Sequence, residues 1–301
     1  MEISMILSSG IINTGHPSRK GEAVNLTELE AKANDIRVDI VSMIAEAGSG
    51  HPGGSLSIAE VMTALYFGDV LVHDPKNPHD EKRDRFILSK GHAAPALYAA
   101  LAESGYFPVE ELQSLRKLGS RLQGHPDSNK LPGVEVCTGS LGQGLSIACG
   151  IACGLRLNND ESEVFTVLGD GECQEGQVWE AAMFAAHKNL DNLTAVVDYN
   201  RLQIDGCIDD VCSPLNLAAK FAAFGWEVAE IDGNDMKEVL EALTYARKQK
   251  SGKPYAIIAS TTKGKGVSFM ENQAGWHGKA PKPEECAQAI SELKEKEALN
   301  D

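Results

Sequence analysis

Two apolar runs joined by a stretch of helical spacing constrain this 301-residue chain more than any other feature. VFTVLGDG (164–171) reads as a buried strand running into a turn, and LTAVVDYN (193–200) as a second buried strand. Between them EGQVWEAAMFAAHKN (175–189) repeats its apolar residues at helical spacing, with Trp179, Met183 and Phe184 at core positions. Strand, helix, strand in that order predicts a right-handed crossover between parallel strands.

The alternation runs on in both directions. A helix is predicted over Thr27 to Ala47, opened by Thr27 with Glu30 three residues on as a capping box, and a second over Ile58 to Phe67. The glycine-rich AGSGHPGGSLS (47–57) between them reads as a turn. A strand at Arg85 to Leu88 is followed by the turn SKGHAAP and a helix through Leu101. LPGVEVCTGSLGQG (131–144) passes from a short strand into a glycine turn, before a small-residue helix over Leu145 to Leu157. Further strands fall at Trp226 to Ile231 and Pro254 to Ser260, flanking a helix at Met236 to Lys250. The pattern predicts an α/β fold, a single doubly wound, mainly parallel sheet with helices on both faces and its ligand at the carboxyl ends of the strands. That domain is expected over residues 25–301, behind a loose N-terminal extension over 1–24 that includes His16.

Composition narrows the function classes. Usage is that of a globular chain, 43% hydrophobic and 24% charged with 29 glycines, and the length suffices for a full core. Lys and Arg total 28 against 43 Asp and Glu, leaving a formal charge of −15 spread along the chain, so no basic face for nucleic acid is expected. No run of about 18 apolar residues suggests a membrane span. Seven cysteines without a CxxC pair read as reduced thiols, the usage of a cytoplasmic protein.

In a parallel sheet the residues just past neighbouring strand ends point into one crevice. Asp170 and Asn200 hold that position on the two strands of the crossover. One carboxylate, one amide oxygen and a backbone carbonyl make a hard oxygen site too sparse for calcium. Magnesium is held by one or two protein oxygens and completed by substrate phosphates and water, so the arrangement asks for a diphosphate. Gly171 lets the backbone approach it, and the helix beginning near Glu175 turns free N–H groups to the same place. Asp-Gly alone is a common turn. The selectivity lies in the whole pattern of apolar strand, GDG, helix and second strand ending in Asn.

GDGECQEGQVWEA and DYNRLQIDG together resemble the thiamine diphosphate motif in its transketolase version. SGHPGGSLS (49–57), DRFILSKGHAAPALYA (84–99), GHPD (124–127) and EVCTGSLGQGLSIACG (135–150) each resemble a transketolase segment, in the expected order. The resemblance implies the diphosphate-binding domain of a transketolase, with the thiamine diphosphate-binding fold and with thiamine diphosphate and Mg2+ as cofactors. By position, Asp170, the side chain of Asn200 and the carbonyl of Leu202 are the implied Mg2+ ligands. Gly171, Asn200 and His92 are implied at the diphosphate, and the backbone of Gly139, Ser140 and Leu141 against the aminopyrimidine. His51 and His125, each in a Gly-His-Pro turn, match catalytic histidines that transfer protons to and from sugar hydroxyls. Glu175 matches an acidic residue that joins subunits at the cofactor.

The chain departs from the family in three places. Ser140 stands where many transketolases have proline. TTKGKGVSFMENQAGWHG (261–278) stands in place of the family's glycine-rich segment with its paired histidine motif, and looks more like deoxyxylulose-phosphate synthase. Lys263, Lys265 and His277 are accordingly three candidates for a contact to the diphosphate, with His277 favoured. Third, the domain that supplies the activating glutamate and the arginines for sugar phosphate is expected to have no counterpart in this chain. The expectation is the N-terminal subunit of a split transketolase, completed by a separately encoded C-terminal subunit in a heterotetramer. It would transfer a two-carbon ketol unit from a ketose phosphate such as xylulose 5-phosphate to an aldose phosphate such as ribose 5-phosphate. The alternatives are a subunit of another thiamine diphosphate enzyme, of 2-oxo acid dehydrogenase or deoxyxylulose-phosphate synthase type, and a non-catalytic binding homologue.

Overall fold

Strands apolar on both sides need helices on both faces, and that requirement organises this chain. The structure, a computed structural model, describes residues 11, 12 and 24–298. The expected extension over 1–24 lies outside the described residues but for 11, 12 and 24, and His16 lies outside them too. Arg85–Leu88 (β1), Val164–Gly169 (β2), Leu193–Tyr199 (β3), Glu227–Asp232 (β4) and Tyr255–Ser260 (β5) form one sheet in the order β1-β2-β3-β5-β4. All four pairings are parallel.

Because successive side chains alternate between faces, each strand feeds two cores. Phe86, Phe165, Val167, Val196 and Ile257 join one apolar cluster, and Ile87, Leu168, Val197 and Ile258 join the other. The first face is covered by Leu26–Ala47 (α1), Pro52–Leu56 (α2), Ala59–Phe67 (α3) and Ala94–Glu103 (α4). Gln143–Leu157 (α5), Gly176–His187 (α6) and Leu217–Ala223 (α7) cover the second. Met236–Lys248 (α8) packs on the first face, where Pro283–Ala298 (α9) rests against α1. The crossover β2-α6-β3 advances along the sheet on the second face, whereas β4-α8-β5 returns along it on the first. Reversing both direction and face gives the two crossovers the same hand, which makes the fold doubly wound.

Local differences from the expected elements have identifiable causes. The cap of α1 is Asn25, whose side chain accepts from the Thr27 N–H at 3.1 Å, so Thr27 lies inside the helix and no capping box forms there. The expected turn at 47–57 contains α2. Its helix-disfavouring Gly53 is held by packing, since a Cβ there would lie 3.0 Å from both the Lys263 side chain and the Trp276 carbonyl. The short strand expected in 131–144 does not form; that segment pairs with no strand and loops over the cavity described below. Trp179 packs between Phe221 and Phe224, but Met183 and Phe184 face outward, 59% and 42% exposed, rather than into the core.

Phe165 is fully buried on β2 among first-face side chains. Phe165→Ala should cost about 3–5 kcal/mol of unfolding free energy in urea titrations; a loss under about 1 kcal/mol would contradict this packing.

Candidate active site

The carboxyl ends of four neighbouring strands converge. β1 leads into Ser89, Lys90 and a 3-10 turn carrying His92; β2 into Asp170, Gly171 and Glu172; β3 ends on Asp198 and Asn200; β5 leads to Lys263. They meet at a cavity of about 370 Å³, where doubly wound sheets place their ligands. Loops complete its wall with His51, His125, Gly139, Leu141 and His277. A larger, more open cleft of about 760 Å³ lies at the ends of β4 and β5. We place the chemistry in the smaller one, because the buried charges and imidazoles converge there.

Three oxygens gather on one side of the cavity. Asp170 is 2% exposed; its carboxylate accepts from the Gly171 N–H at 2.7 Å and the Arg201 N–H at 2.5 Å. Arg201 reaches that position by adopting φ +62, unusual for a non-glycine residue. Burial, and next the Asp198 charge, push the Asp170 carboxyl up to about 7. The Asn200 amide is fixed at both ends, its Nδ2 donating to Asp198 Oδ2 at 2.8 Å and its Oδ1 accepting from the Leu202 N–H at 3.1 Å. The Leu202 carbonyl accepts from Lys263 Nζ at 3.0 Å. A buried carboxylate whose charge is under-compensated, beside an amide and a carbonyl oxygen, fits a small divalent cation that shares its shell with phosphate oxygens.

Beneath these groups lie two buried charges. Lys90 pairs with Asp198, and its ammonium also donates to the Gly54 carbonyl at 2.7 Å. Burial alone would raise Asp198; the Lys90 charge and hydrogen bonds from Lys90, Thr261 and Ser57 hold it below the usual carboxylate range. Glu172 takes the Ser89 hydroxyl, the Gly142 N–H at 2.9 Å and the Gly169 N–H at 3.0 Å, tying the 131–142 loop to β2.

Histidines line the same cavity. The rings of His51, His92 and His277 stand 5.2–5.5 Å apart, centroid to centroid. Burial depresses all three, with positive neighbours adding to it: His51 falls to about 4 and His277 to about 3. His51 Nδ1 is buried without a hydrogen-bond partner, an atom left for a ligand. His125 packs on Gly139, where a Cβ would lie 2.9 Å from its ring, and burial with the nearby Arg116 lowers it as well. Lys263 is 1% exposed, lies 3.0 Å from His277 Nδ1 and is lowered to about 8 by burial and Lys90.

The cavity therefore brings together Asp170, Gly171, Asn200, Leu202, His51, His92, His125, His277, Lys263, Gly139, Leu141 and Glu175. Ser140 is exposed beside it, and Lys265 lines the neighbouring cleft instead. Sequence reasoning does not single out Lys90, Glu172 or Asp198. The available signal was a charged residue inside or beside a run expected to be buried on both faces, as Asp198 is in LTAVVDYN.

A parallel sheet that gathers an oxygen cluster, a lysine and four imidazoles beyond its strand ends belongs to the class of α/β diphosphate-binding domains. Comparison with known proteins narrows the class. The family described as "Transketolase, thiamine diphosphate binding domain" matches residues 29–298. The chain is 46% identical to a 6-deoxy-6-sulfo-D-fructose transketolase subunit of Clostridium sp. (strain MSTE9), over 90% of this chain and 98% of that one. It is 44% identical to an apulose-4-phosphate transketolase subunit of Actinobacillus succinogenes, over 89% of this chain and 96% of that one. The solved transketolase of Campylobacter jejuni superposes with a TM-score of 0.84 at 35% identity, over 90% of this chain but 43% of that one. The chain belongs to the transketolase family, as a thiamine diphosphate-binding domain of N-terminal subunit type. It spans nearly all of the two subunits and under half of the Campylobacter enzyme.

The depressed histidines predict a pH response. With His51 at about 4 when folded and 6.5 as its ordinary value, the folded state binds fewer protons than the unfolded chain between these limits. The stability it contributes is present above pH 6.5 and lost as the pH falls through 4. Denaturation midpoints of the ligand-free chain should drop over that window, and His51→Gln should flatten the drop; equal slopes would contradict the assignment.

Proposed function

We propose that this chain is the cofactor-binding subunit of a split transketolase, transferring a two-carbon ketol unit from a ketose phosphate to an aldose phosphate. The observation that carries the reading is the convergence of the Asp170, Asn200 and Leu202 oxygens with four imidazoles in one cavity. Asp170, Asn200 Oδ1 and the Leu202 carbonyl hold Mg2+. Asn200, Gly171, His92 and Lys263 hold the diphosphate, and the backbone from Gly139 through Ser140 to Leu141 supports the aminopyrimidine. When bound, thiamine diphosphate supplies the electron sink for carbon–carbon cleavage.

The remaining chemistry belongs to the chain. His51, His125 and His277 accept and return protons of sugar hydroxyls. An anionic diphosphate and sugar phosphate beside them offset the Lys263 and Arg116 charges and raise the imidazoles back toward their ordinary basicity. Glu175, at the exposed rim of the cavity, contacts the C-terminal partner subunit. Exposed Leu141 and Ile204 at the same rim support a cover by that partner, in a heterotetramer. Seven free cysteines support a cytoplasmic setting, and no helix among the described residues is long and apolar enough to cross a membrane.

Xylulose 5-phosphate and ribose 5-phosphate are the first donor and acceptor to try. The names of the two subunit relatives favour a second pair of donors, 6-deoxy-6-sulfofructose and apulose 4-phosphate. The chain should be assayed with each donor, alone and with the product of the adjacent reading frame. Turnover only in the mixture is expected, and full activity of the chain alone would contradict the split assembly. In calorimetry Asp170→Ala should abolish Mg2+-dependent thiamine diphosphate binding, since it removes the one charged metal ligand; unchanged affinity would overturn the metal assignment.

A further inference from the structure

Asp198 is fully buried near the end of β3, yet four side chains from three other parts of the fold and from its own strand end donate to it. Oδ2 accepts from Ser57 Oγ at 2.7 Å, from Asn200 Nδ2 at 2.8 Å and from the Lys90 ammonium, and Oδ1 accepts from Thr261 Oγ1. Its consequence for Asn200 is specific. An amide turned by half a rotation about its last bond exchanges oxygen for NH2 with almost no change of shape, so packing alone does not decide which atom faces a cavity. An ionised carboxylate does decide it, because it only accepts and therefore meets the NH2. The Asn200 oxygen is then sent to the opposite side, where the Leu202 N–H holds it at 3.1 Å beside Asp170. The Lys90 ammonium pairs with this carboxylate and also donates to the Gly54 carbonyl at 2.7 Å, so the orienting group sits in a buried ion pair.

We propose that Asp198 is the positioning residue that turns the Asn200 amide oxygen toward the cation, so that divalent-metal affinity depends on a carboxylate that does not touch the metal. The inference rests on the cofactor reading above and assigns the site a supporting shell of the kind that orients metal ligands elsewhere. Asp198→Asn removes the acceptor-only partner of the amide NH2 while preserving shape, leaving the Leu202 N–H as the one remaining group of those two that sorts the amide. In the double variant Asp198→Asn with Asn200→Asp, the new carboxylate at 200 presents an oxygen in either orientation and needs no sorting.

Mn2+, read by its electron paramagnetic resonance signal, should be titrated into the full chain in the presence of thiamine diphosphate. The parent should bind it. D198N should raise its Kd about 10- to 100-fold, and the double variant should recover most of that loss. Ser57→Ala serves as control, because it removes another bond to the same oxygen and leaves Asn200 untouched. It should lower the melting temperature without changing the Mn2+ Kd, whereas a purely structural Asp198 would move both together. If D198N alone does not fold, the double variant against the parent decides: near-parental affinity supports the proposal, and lost affinity in a folded protein overturns it. A D198N that binds Mn2+ within about twofold of a binding parent, or an S57A as weak as D198N, also overturns it. A parent that binds no Mn2+ with thiamine diphosphate instead overturns the cofactor reading on which the proposal rests.

Discussion

The parallel register of β2 against β3 is the constraint on which the site depends. Val164 pairs with Leu193 and Gly169 with Asp198, so the two strands end level with one another. The ladder's last bond, from the Asp170 N–H to the Asp198 carbonyl at 3.2 Å, leaves Asp170 and Asn200 just beyond it on adjacent strands. A one-residue slip would send every side chain of the strand to the other face. Both cores forbid that, because Phe165 and Val167 lie in one cluster while Val164 and Leu168 lie in the other. Asp170 and Asn200 are thus positioned by apolar packing remote from them.

Electrostatics shape what the register provides. Five charged side chains, Lys90, Asp170, Glu172, Asp198 and Lys263, lie almost fully buried within one small region. Lys90 and Asp198 neutralise one another. Asp170 and Lys263 do not pair directly, and their shifts run in the directions expected of charges short of compensation, the carboxyl upward and the ammonium downward. On the proposed function a divalent cation would answer the first need and a diphosphate the second, so that the two would act as one ligand. The protein builds this imbalance into a sheet whose remainder is conventionally apolar.

The β2-α6-β3 unit was legible in the sequence because its strands are apolar on both sides and its turn ends in GDG. Asp170, Gly171 and Asn200 followed from their places at the strand ends, whereas His51, His92 and His125 stood out only through the resemblance of their segments to transketolase, since the Gly-His-Pro triplet also occurs at His16. What escaped was context. A five-residue helix holding Pro52, Gly53 and Gly54 has almost no local helical preference and exists through its packing. Asn25 displaced Thr27 as the cap because it sits just outside the first turn, where its side chain reaches the Thr27 N–H. A short strand was expected within 131–144, but pairing needs a partner, and that segment finds none. Asp198 looked like part of a strand pattern; only the fold reveals Lys90, Ser57 and Thr261 around it.

The most direct test of the account is a crystal structure of the chain grown with thiamine diphosphate and Mn2+, with the metal located by anomalous scattering. The account predicts one strong peak at about 2.0–2.3 Å from an Asp170 oxygen, Asn200 Oδ1 and the Leu202 carbonyl, with Lys263 displaced from that carbonyl toward the diphosphate. A peak elsewhere, or a bound diphosphate with Lys263 still on Leu202 and no metal between, would contradict it.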